Sequence, residues 1–150
     1  MKGVFFDFCG TLFKYVDLEK AWSDWQEVVF KCFKRFGLKM EKNKFLEYCN
    51  PHILDGDEPQ IDFEGTVLEK KFKKFSLEIG MELSKAEVCE VAKKSVFKWG
   101  SSLKIEENTL NVLNVLKKKY KLGVVSNFDH PPFIRFLLSE HNMENLFDSI

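Results

Sequence analysis

The residues best suited to chemistry in this chain lie in two short stretches, and the first is near the start. Asp7 follows the apolar residues 4–6 and precedes Gly10 and Thr11. A carboxylate at the end of a strand can act as a nucleophile or bind a metal ion. Glycine lets the backbone approach a ligand closely, and a threonine hydroxyl can orient the carboxylate. The pattern indicates a candidate nucleophile or metal ligand at Asp7.

The second stretch comprises Ser126 and Asn127, which follow the apolar residues 122–125. A hydroxyl, an amide and backbone N–H groups at a strand end can form a receptacle for an anion. Taken alone, a Ser-Asn pair after a strand indicates only a turn. Together with Asp7, the pair predicts an anion pocket, provided that both strands end at the same edge of one sheet.

The elements around these stretches predict such a sheet. Residues 4–6 are apolar at successive positions, which predicts a strand buried on both faces, as in a parallel sheet. In open parallel sheets the ligand crevice lies outside the carboxyl ends of the strands. The chain between Asp7 and Ser126 is far too long for one crossover helix, so a helical subdomain is expected between the two strands.

The apolar spacing of the chain predicts six helices and a loop. The helices are expected at residues 18–36 and 41–49, from Asp62 to about Ile79, from a Ser84–Glu87 capping box onward, at 106–120, and from Pro131 to Leu138 or beyond. Residues 50–60 have the composition of a loop. A further strand is expected to begin within residues 147–150.

The opening stretch resembles the first signature of the haloacid dehalogenase (HAD) superfamily of hydrolases, an Asp-x-Asp-Gly-Thr-Leu motif after a hydrophobic strand. Asp7, Gly10, Thr11 and Leu12 match it, and Cys9 replaces the usual second aspartate. The Ser126-Asn127 pair resembles the second signature. The resemblance implies an α/β fold with an incomplete Rossmann-like parallel sheet, formed by residues 1–13 and 101–150, and an inserted helical cap, formed by residues 14–100.

The resemblance also implies a mechanism in which Asp7 attacks phosphorus and water hydrolyses the resulting aspartyl-phosphate. The expected enzyme is a small-molecule phosphatase. Residues implied to bind substrate are Gly10, Thr11, Ser126 and Asn127. Mg²⁺ would be held by Asp7 and by the backbone carbonyl of Cys9. The Cys9 thiol is expected to be an inert, buried side chain, because an ordinary thiol is a poor general acid or base near neutral pH.

Departures from the family pattern keep two alternatives open. The family's third signature is a lysine, and its fourth is an acidic pair that holds Mg²⁺. No lysine follows Lys121, and Asp129 and Asp148 do not fit the acidic pair. The metal site is therefore expected to be incomplete and activity impaired, so a non-catalytic fragment or interaction unit is one alternative. The other is a 2-haloacid dehalogenase-like hydrolase, which also lacks the second aspartate and requires an arginine.

Size and composition limit the remaining classes. The 150 residues carry 23 basic and 23 acidic side chains, so net charge gives no argument for nucleic acid or an anionic membrane. Four scattered cysteines and the lack of a signal or membrane-spanning run are typical of a reduced, cytoplasmic protein. In the family's sheet the strand before Asp7 lies between the Ser126 strand and the strand that bears the metal-binding acids, so the resemblance implies an unpaired edge here and hence a dimer, a swapped assembly or a complementing chain.

Overall fold

The computed structural model describes residues 2–54 and 57–150, which form two compact units. The sheet unit comprises Met1–Leu18 and Ser102–Ile150, and the helical unit comprises Glu19–Ser101. The strands are β1 (Gly3–Phe6), β2 (Phe13–Tyr15), β3 (Leu103–Ile105) and β4 (Lys121–Val124). The helices are α1 (Leu18–Arg35), α2 (Lys42–Leu54), α3 (Val67–Glu78), α4 (Lys85–Gly100), α5 (Thr109–Lys117) and α6 (Pro131–Glu140), with a 3₁₀ helix at Glu144–Leu146. The predicted α/β fold class is confirmed.

The sheet unit is organised around the parallel pair of β1 and β4. Gly3 lies opposite Lys121, and Phe6 lies opposite Val124. On the far side of β4, Ser149 forms a parallel bridge with Gly123, where the sequence predicted the start of another strand. Both predicted strands, β1 and β4, are therefore confirmed, whereas residues 147–150 form this single bridge rather than a regular strand.

Burial of β1 differs from the prediction. Leu122 and Val124, on one face of the sheet, are 1% and 7% exposed. Phe5, on the opposite face, is 69% exposed. The prediction that β1 is buried on both faces was therefore wrong for the face that carries Phe5.

The sequence did not predict the second pair of strands, β2 and β3. They are antiparallel, with Phe13 opposite Ile105 and Tyr15 opposite Leu103. Lys14 and Glu106 form an exposed ion pair beside them. Each strand has only three residues, too few for an alternating pattern to stand out from a loop.

An aromatic core holds the helical unit together. Phe33 of α1 lies 5.1 Å from Phe45 and 5.5 Å from Phe75 between ring centroids. Phe72 completes the cluster, and all four side chains are fully buried. The apolar stripe that predicted a helix at residues 18–36 is the face of α1 that packs into this core, so that prediction is confirmed to within a residue.

Two helix boundaries in the helical unit differ from the prediction. Helix α2 continues through Pro51 to Leu54, so the predicted loop at residues 50–60 begins later than expected. Of that loop, Asp55 and Gly56 lie outside the described residues. Helix α3 begins at Val67 rather than near Asp62, because a capping box of Thr66 and Glu69 fixes its first turn.

Other helix predictions agree more closely. The Ser84–Glu87 capping box is present at the start of α4. Helix α6 begins at Pro131, as the favourable fit of proline to a first helical turn predicts. Helix α5 is shorter than the predicted 106–120 at both ends, since it begins at Thr109 and ends at Lys117, three residues before β4.

Candidate active site

The carboxyl ends of β1 and β4 lie side by side. The backbone N–H of Val125 donates a hydrogen bond of 2.9 Å to the carbonyl oxygen of Phe6. Asp7 follows Phe6 directly, and Ser126 follows Val125 directly. Because the strands are parallel, both side chains leave the sheet at its carboxyl edge, where open α/β folds bind ligands.

Asp7 is exposed to solvent and oriented by its own backbone. Its Oδ1 atom accepts a hydrogen bond of 2.7 Å from the N–H of Phe8. A hydrogen bond to one carboxylate oxygen restricts rotation of the side chain without burying it. The carboxylate is therefore available to a ligand at the surface of the sheet edge.

A tight turn follows Asp7 and returns the chain to β2. The N–H groups of Leu12 and Phe13 both donate to the carbonyl of Phe8, at 3.1 and 3.0 Å, and the N–H of Gly10 donates to the carbonyl of Phe13 at 2.7 Å. Gly10 has a φ of 88°, a conformation that strongly favours glycine. Gly10 and Thr11 are both exposed in this turn, one short step along the chain from Asp7.

Cys9 is half-buried within the same turn. Burial raises the pKa of its thiol above the ordinary value, and the negative charge of Asp7 raises it further, while a hydrogen bond with the Tyr15 side chain acts in the opposite direction. At neutral pH the side chain is therefore a neutral thiol. Tyr15 was missed by the sequence analysis because the strand that carries it, β2, was missed.

Ser126 is half-buried and Asn127 is exposed. Ser126 lines a cavity of about 320 Å³ in the sheet unit, together with Arg135 of α6 and several apolar side chains. The Nη2 atom of Arg135 donates a hydrogen bond of 3.2 Å to the carbonyl of Ile150. The sequence did not predict that Arg135 and Ser126 line the same cavity, because a turn and the start of α6 separate them along the chain.

The donor atoms near Asp7 suit Mg²⁺ but are few. Magnesium prefers hard oxygen ligands, and it commonly keeps several waters while binding one or two carboxylates. The carboxylate of Asp7 and the backbone carbonyl of Cys9 are oxygens of this kind. Within residues 2–54 and 57–150, no group of three or more His, Cys, Asp or Glu side chains is arranged to hold a metal ion.

Asp148 has a structural role away from this edge. Its carboxylate accepts hydrogen bonds from Lys121 at 2.8 Å, from Lys117 at 3.0 Å and from the backbone N–H of Leu122 at 3.0 Å. These partners hold the pKa of Asp148 well below its ordinary range, Lys121 most strongly. The carboxylate thus ties the segment after the 3₁₀ helix to the amino-terminal end of β4.

Comparisons of the sequence with protein-family models found no match, and a search of curated proteins found no significant one. Solved structures do match. A HAD phosphatase from Thermococcus onnurineus is 21% identical with a TM-score of 0.57, over 99% of this chain and 60% of that one. A 2-haloacid dehalogenase from Pseudomonas syringae pv. Tomato DC3000 is 14% identical with a TM-score of 0.53, over 99% of this chain and 62% of that one.

A HAD family enzyme from Bacteroides thetaiotaomicron is also similar, at 18% identity and a TM-score of 0.50, over 99% of this chain and 66% of that one. The chain thus has a HAD-like fold and spans about 60% of the length of the first two of these structures. Separately, no helix in the described part of the chain is both long and apolar enough to cross a membrane.

Proposed function

We propose that this chain carries the nucleophile and phosphate-binding elements of a HAD-type hydrolase acting on a small phosphate monoester. One observation carries the proposal: the hydrogen bond from Val125 to Phe6 holds two strand ends together, so that Asp7 and Ser126 leave the sheet at the same edge. A carboxylate and a hydroxyl at one edge suit attack on a bound phosphoryl group.

In the proposed reaction the Asp7 carboxylate forms a bond to phosphorus as the bond from phosphorus to the leaving oxygen breaks. Water then attacks the aspartyl-phosphate, releases inorganic phosphate and restores the carboxylate. The Ser126 hydroxyl and the Asn127 amide donate hydrogen bonds to the phosphoryl oxygens. Gly10 and Thr11 present the turn that lets the substrate approach Asp7. The hydrogen bond from Phe8 keeps the carboxylate oriented for attack.

A divalent cation belongs to the same proposal. Asp7 and the Cys9 carbonyl would hold Mg²⁺, which neutralises negative charge on the phosphate when it is bound. This chain contributes two such ligands, so water and substrate would complete the shell. Cys9 stands where the family pattern has its second aspartate, and removing even one preorganised donor costs roughly 10²–10³ in rate. We therefore expect turnover below that of an enzyme that has this aspartate.

We further propose that the helical unit, Glu19–Ser101, acts as a cap that selects the substrate. The sequence prediction of residues 14–100 for the cap and of residues 1–13 and 101–150 for the core underlies this proposal. The support is connectivity, because the helical unit is inserted between Leu18 and Ser102 of the sheet unit. The expected compartment is the cytoplasm, where the four cysteines, all free in the structure, would remain reduced.

The test is turnover of p-nitrophenyl phosphate by the purified chain, with and without Mg²⁺. We expect slow release of p-nitrophenol that requires Mg²⁺ and falls to the uncatalysed level in Asp7→Asn. A matched control is Asp62→Asn, which changes an exposed aspartate in the helical unit. Turnover that survives in Asp7→Asn would refute the assignment of the nucleophile, and no turnover in either protein would favour the non-catalytic alternative.

The similarity to a 2-haloacid dehalogenase supports one further candidate. In this reaction Asp7 would displace halide from carbon. Cys9 would be compatible with it, because the dehalogenases of the family also lack the second aspartate. Chloride release from 2-chloropropionate, lost in Asp7→Asn, would favour this alternative over the phosphatase. Arg135, beside Ser126, is the arginine whose substitution by alanine would then raise KM for the haloacid.

A further inference from the structure

The helical unit contains a cavity of about 640 Å³, lined by the last turns of α2, one face of α3 and residues 57–60 of the loop before α3. All of these residues belong to Glu19–Ser101. A volume in this range suits a ligand of the size of a small metabolite. The proposed phosphate site is built from residues of the sheet unit, so the cavity is a separate candidate for binding.

Lys71 supplies a buried positive charge at the wall of this cavity. The residue is 3% exposed, and its ammonium group donates a hydrogen bond of 3.2 Å to the carbonyl of Ile53. That carbonyl lies in the last turn of α2, where helix carbonyls carry partial negative charge. The ammonium group is therefore held in place. A charge that is fixed before a ligand arrives loses little freedom when the ligand binds.

Lys74 adds a second positive charge, one turn further along the same face of α3. Its Nζ atom lies 3.8 Å from the carboxylate of Glu78, which is a long ion pair. Glu78 also contacts the Nε2 atom of His52, whose Nδ1 atom donates a hydrogen bond of 2.7 Å to the carbonyl of Tyr48. His52 is fixed by these two contacts, whereas Lys74 shares its carboxylate partner and can donate to a ligand.

The acidic side chains that line the cavity come from the loop before α3. They are Asp57 and Glu58. Glu58 forms an ion pair with Lys70, which anchors the loop beside α3. The N–H of Ile61 donates to the carbonyl of Pro59 at 3.1 Å, so the loop turns tightly just beyond the cavity. The cavity thus takes its positive charges from the helices and its negative charges from the loop.

We propose that this cavity binds a small zwitterion, a molecule that carries one carboxylate and one ammonium group. The carboxylate accepts hydrogen bonds from Lys71 and Lys74, and the ammonium group lies beside Asp57. A ligand with charge of one sign alone would meet like charge as well as opposite charge, because both sets line the same cavity. The site uses residues of the helical unit alone, so it does not depend on the proposed hydrolase activity.

Isothermal titration calorimetry of the full chain tests the class of ligand. The probes are two zwitterions, γ-aminobutyrate and 6-aminohexanoate. Each is compared with its single-charge counterparts, butyrate and butylamine for the first, hexanoate and hexylamine for the second. We expect at least one zwitterion to bind about tenfold more tightly than either counterpart, because it makes charged hydrogen bonds at both ends. No binding, or binding no tighter than that of the counterparts, would overturn the proposal.

Two substitutions separate the two ends of the ligand. Lys74→Gln should weaken binding of the zwitterion and of the carboxylate and leave that of the amine unchanged. Asp57→Asn should weaken binding of the zwitterion and of the amine and leave that of the carboxylate unchanged. Lys44→Gln is the matched control, since Lys44 is an exposed lysine near the other end of α2. Circular dichroism checks that all three variants stay folded.

The pattern across the three variants decides the outcome. Opposite effects of Lys74→Gln and Asp57→Asn on the two single-charge ligands would support the assignment of each end of the zwitterion. Equal effects of the two substitutions on every ligand, or an effect of Lys44→Gln as large as that of Lys74→Gln, would overturn the proposal.

Discussion

The N–H of Val125 donates a hydrogen bond of 2.9 Å to the carbonyl of Phe6, and this contact closes the parallel pair of β1 and β4 at its carboxyl end. The two residues are far apart in sequence, since the whole helical unit lies between them. Asp7 directly follows Phe6, and Ser126 directly follows Val125. The proposed anion site follows from this register, because it brings the carboxyl ends of β1 and β4 level with each other.

A substitution at Gly10 tests whether the turn after Asp7 contributes to phosphate binding as well as to stability. Its φ of 88° and the 103° of Gly37 both lie in the left-handed region. Alanine at either position should lower the free energy of unfolding by about 1–2 kcal/mol, measured by urea denaturation. Only Gly10→Ala should also weaken phosphate binding, because Gly37 ends α1 in the helical unit. Equal effects of the two substitutions on binding would contradict this role for the turn.

Phe33 is the centre of the aromatic core in the helical unit, fully buried against other phenylalanine rings. Phe33→Ala should lower the free energy of unfolding by about 3–5 kcal/mol, through lost apolar burial and the cavity that remains. Leu77→Ala is the control, because Leu77 is 49% exposed, and its effect should stay within about 0.5 kcal/mol. Similar losses in both variants, by urea denaturation, would show that the core is packed differently.

The lowered pKa of Asp148 predicts that the stability of the fold depends on pH. Its pKa is lowered in the folded chain, chiefly by Lys121 and then by the Leu122 N–H and Lys117. A lowered pKa stabilises the fold above the ordinary aspartate value of about 3.9, and that stabilisation is lost as pH falls toward the folded value. Asp148→Asn should therefore unfold at lower urea than the native chain at pH 7, with a difference that shrinks below about pH 4.

Added salt separates this effect from a loss of packing. The ion pairs of Asp148 are at the surface, so 1 M NaCl should reduce the difference between Asp148→Asn and the native chain. Asp62→Asn, also exposed, should show little dependence on pH or salt. If the difference in urea stability between Asp148→Asn and the native chain stayed constant from pH 7 to pH 2, the charge of Asp148 would contribute nothing to the stability of the fold.

Local patterns in the sequence predicted much of the helical unit. The apolar stripe of α1 and the Ser84–Glu87 capping box each depend on residues that are close in sequence, so both could be predicted without knowledge of the fold. The end of α2 was not, because Pro51 normally indicates a loop, and here it lies within the helix. The start of α3 was placed too early because the apolar spacing continues through Phe63, ahead of the Thr66 cap.

The sheet unit was harder to predict, because its contacts join distant parts of the chain. The pairing of β2 with β3 connects residues on either side of the helical unit, and neither strand has more than three residues. Tyr15, which contacts Cys9, was missed for that reason. The sequence also did not predict the exposure of Phe5, because an apolar run predicts burial whether or not a neighbouring element covers that face of the strand. The roles given to Asp7, Gly10, Thr11, Ser126 and Asn127 stay predictions.

The most direct test of the shared site is an NMR titration of the ¹⁵N-labelled chain with inorganic phosphate in the presence of Mg²⁺. We predict that the amide signals of Phe8 to Thr11 and those of Ser126 and Asn127 shift together, with one dissociation constant, and that Ser126→Ala weakens both sets of shifts. Shifts confined to one of the two loops, or two unrelated dissociation constants, would contradict a common anion site at the ends of β1 and β4.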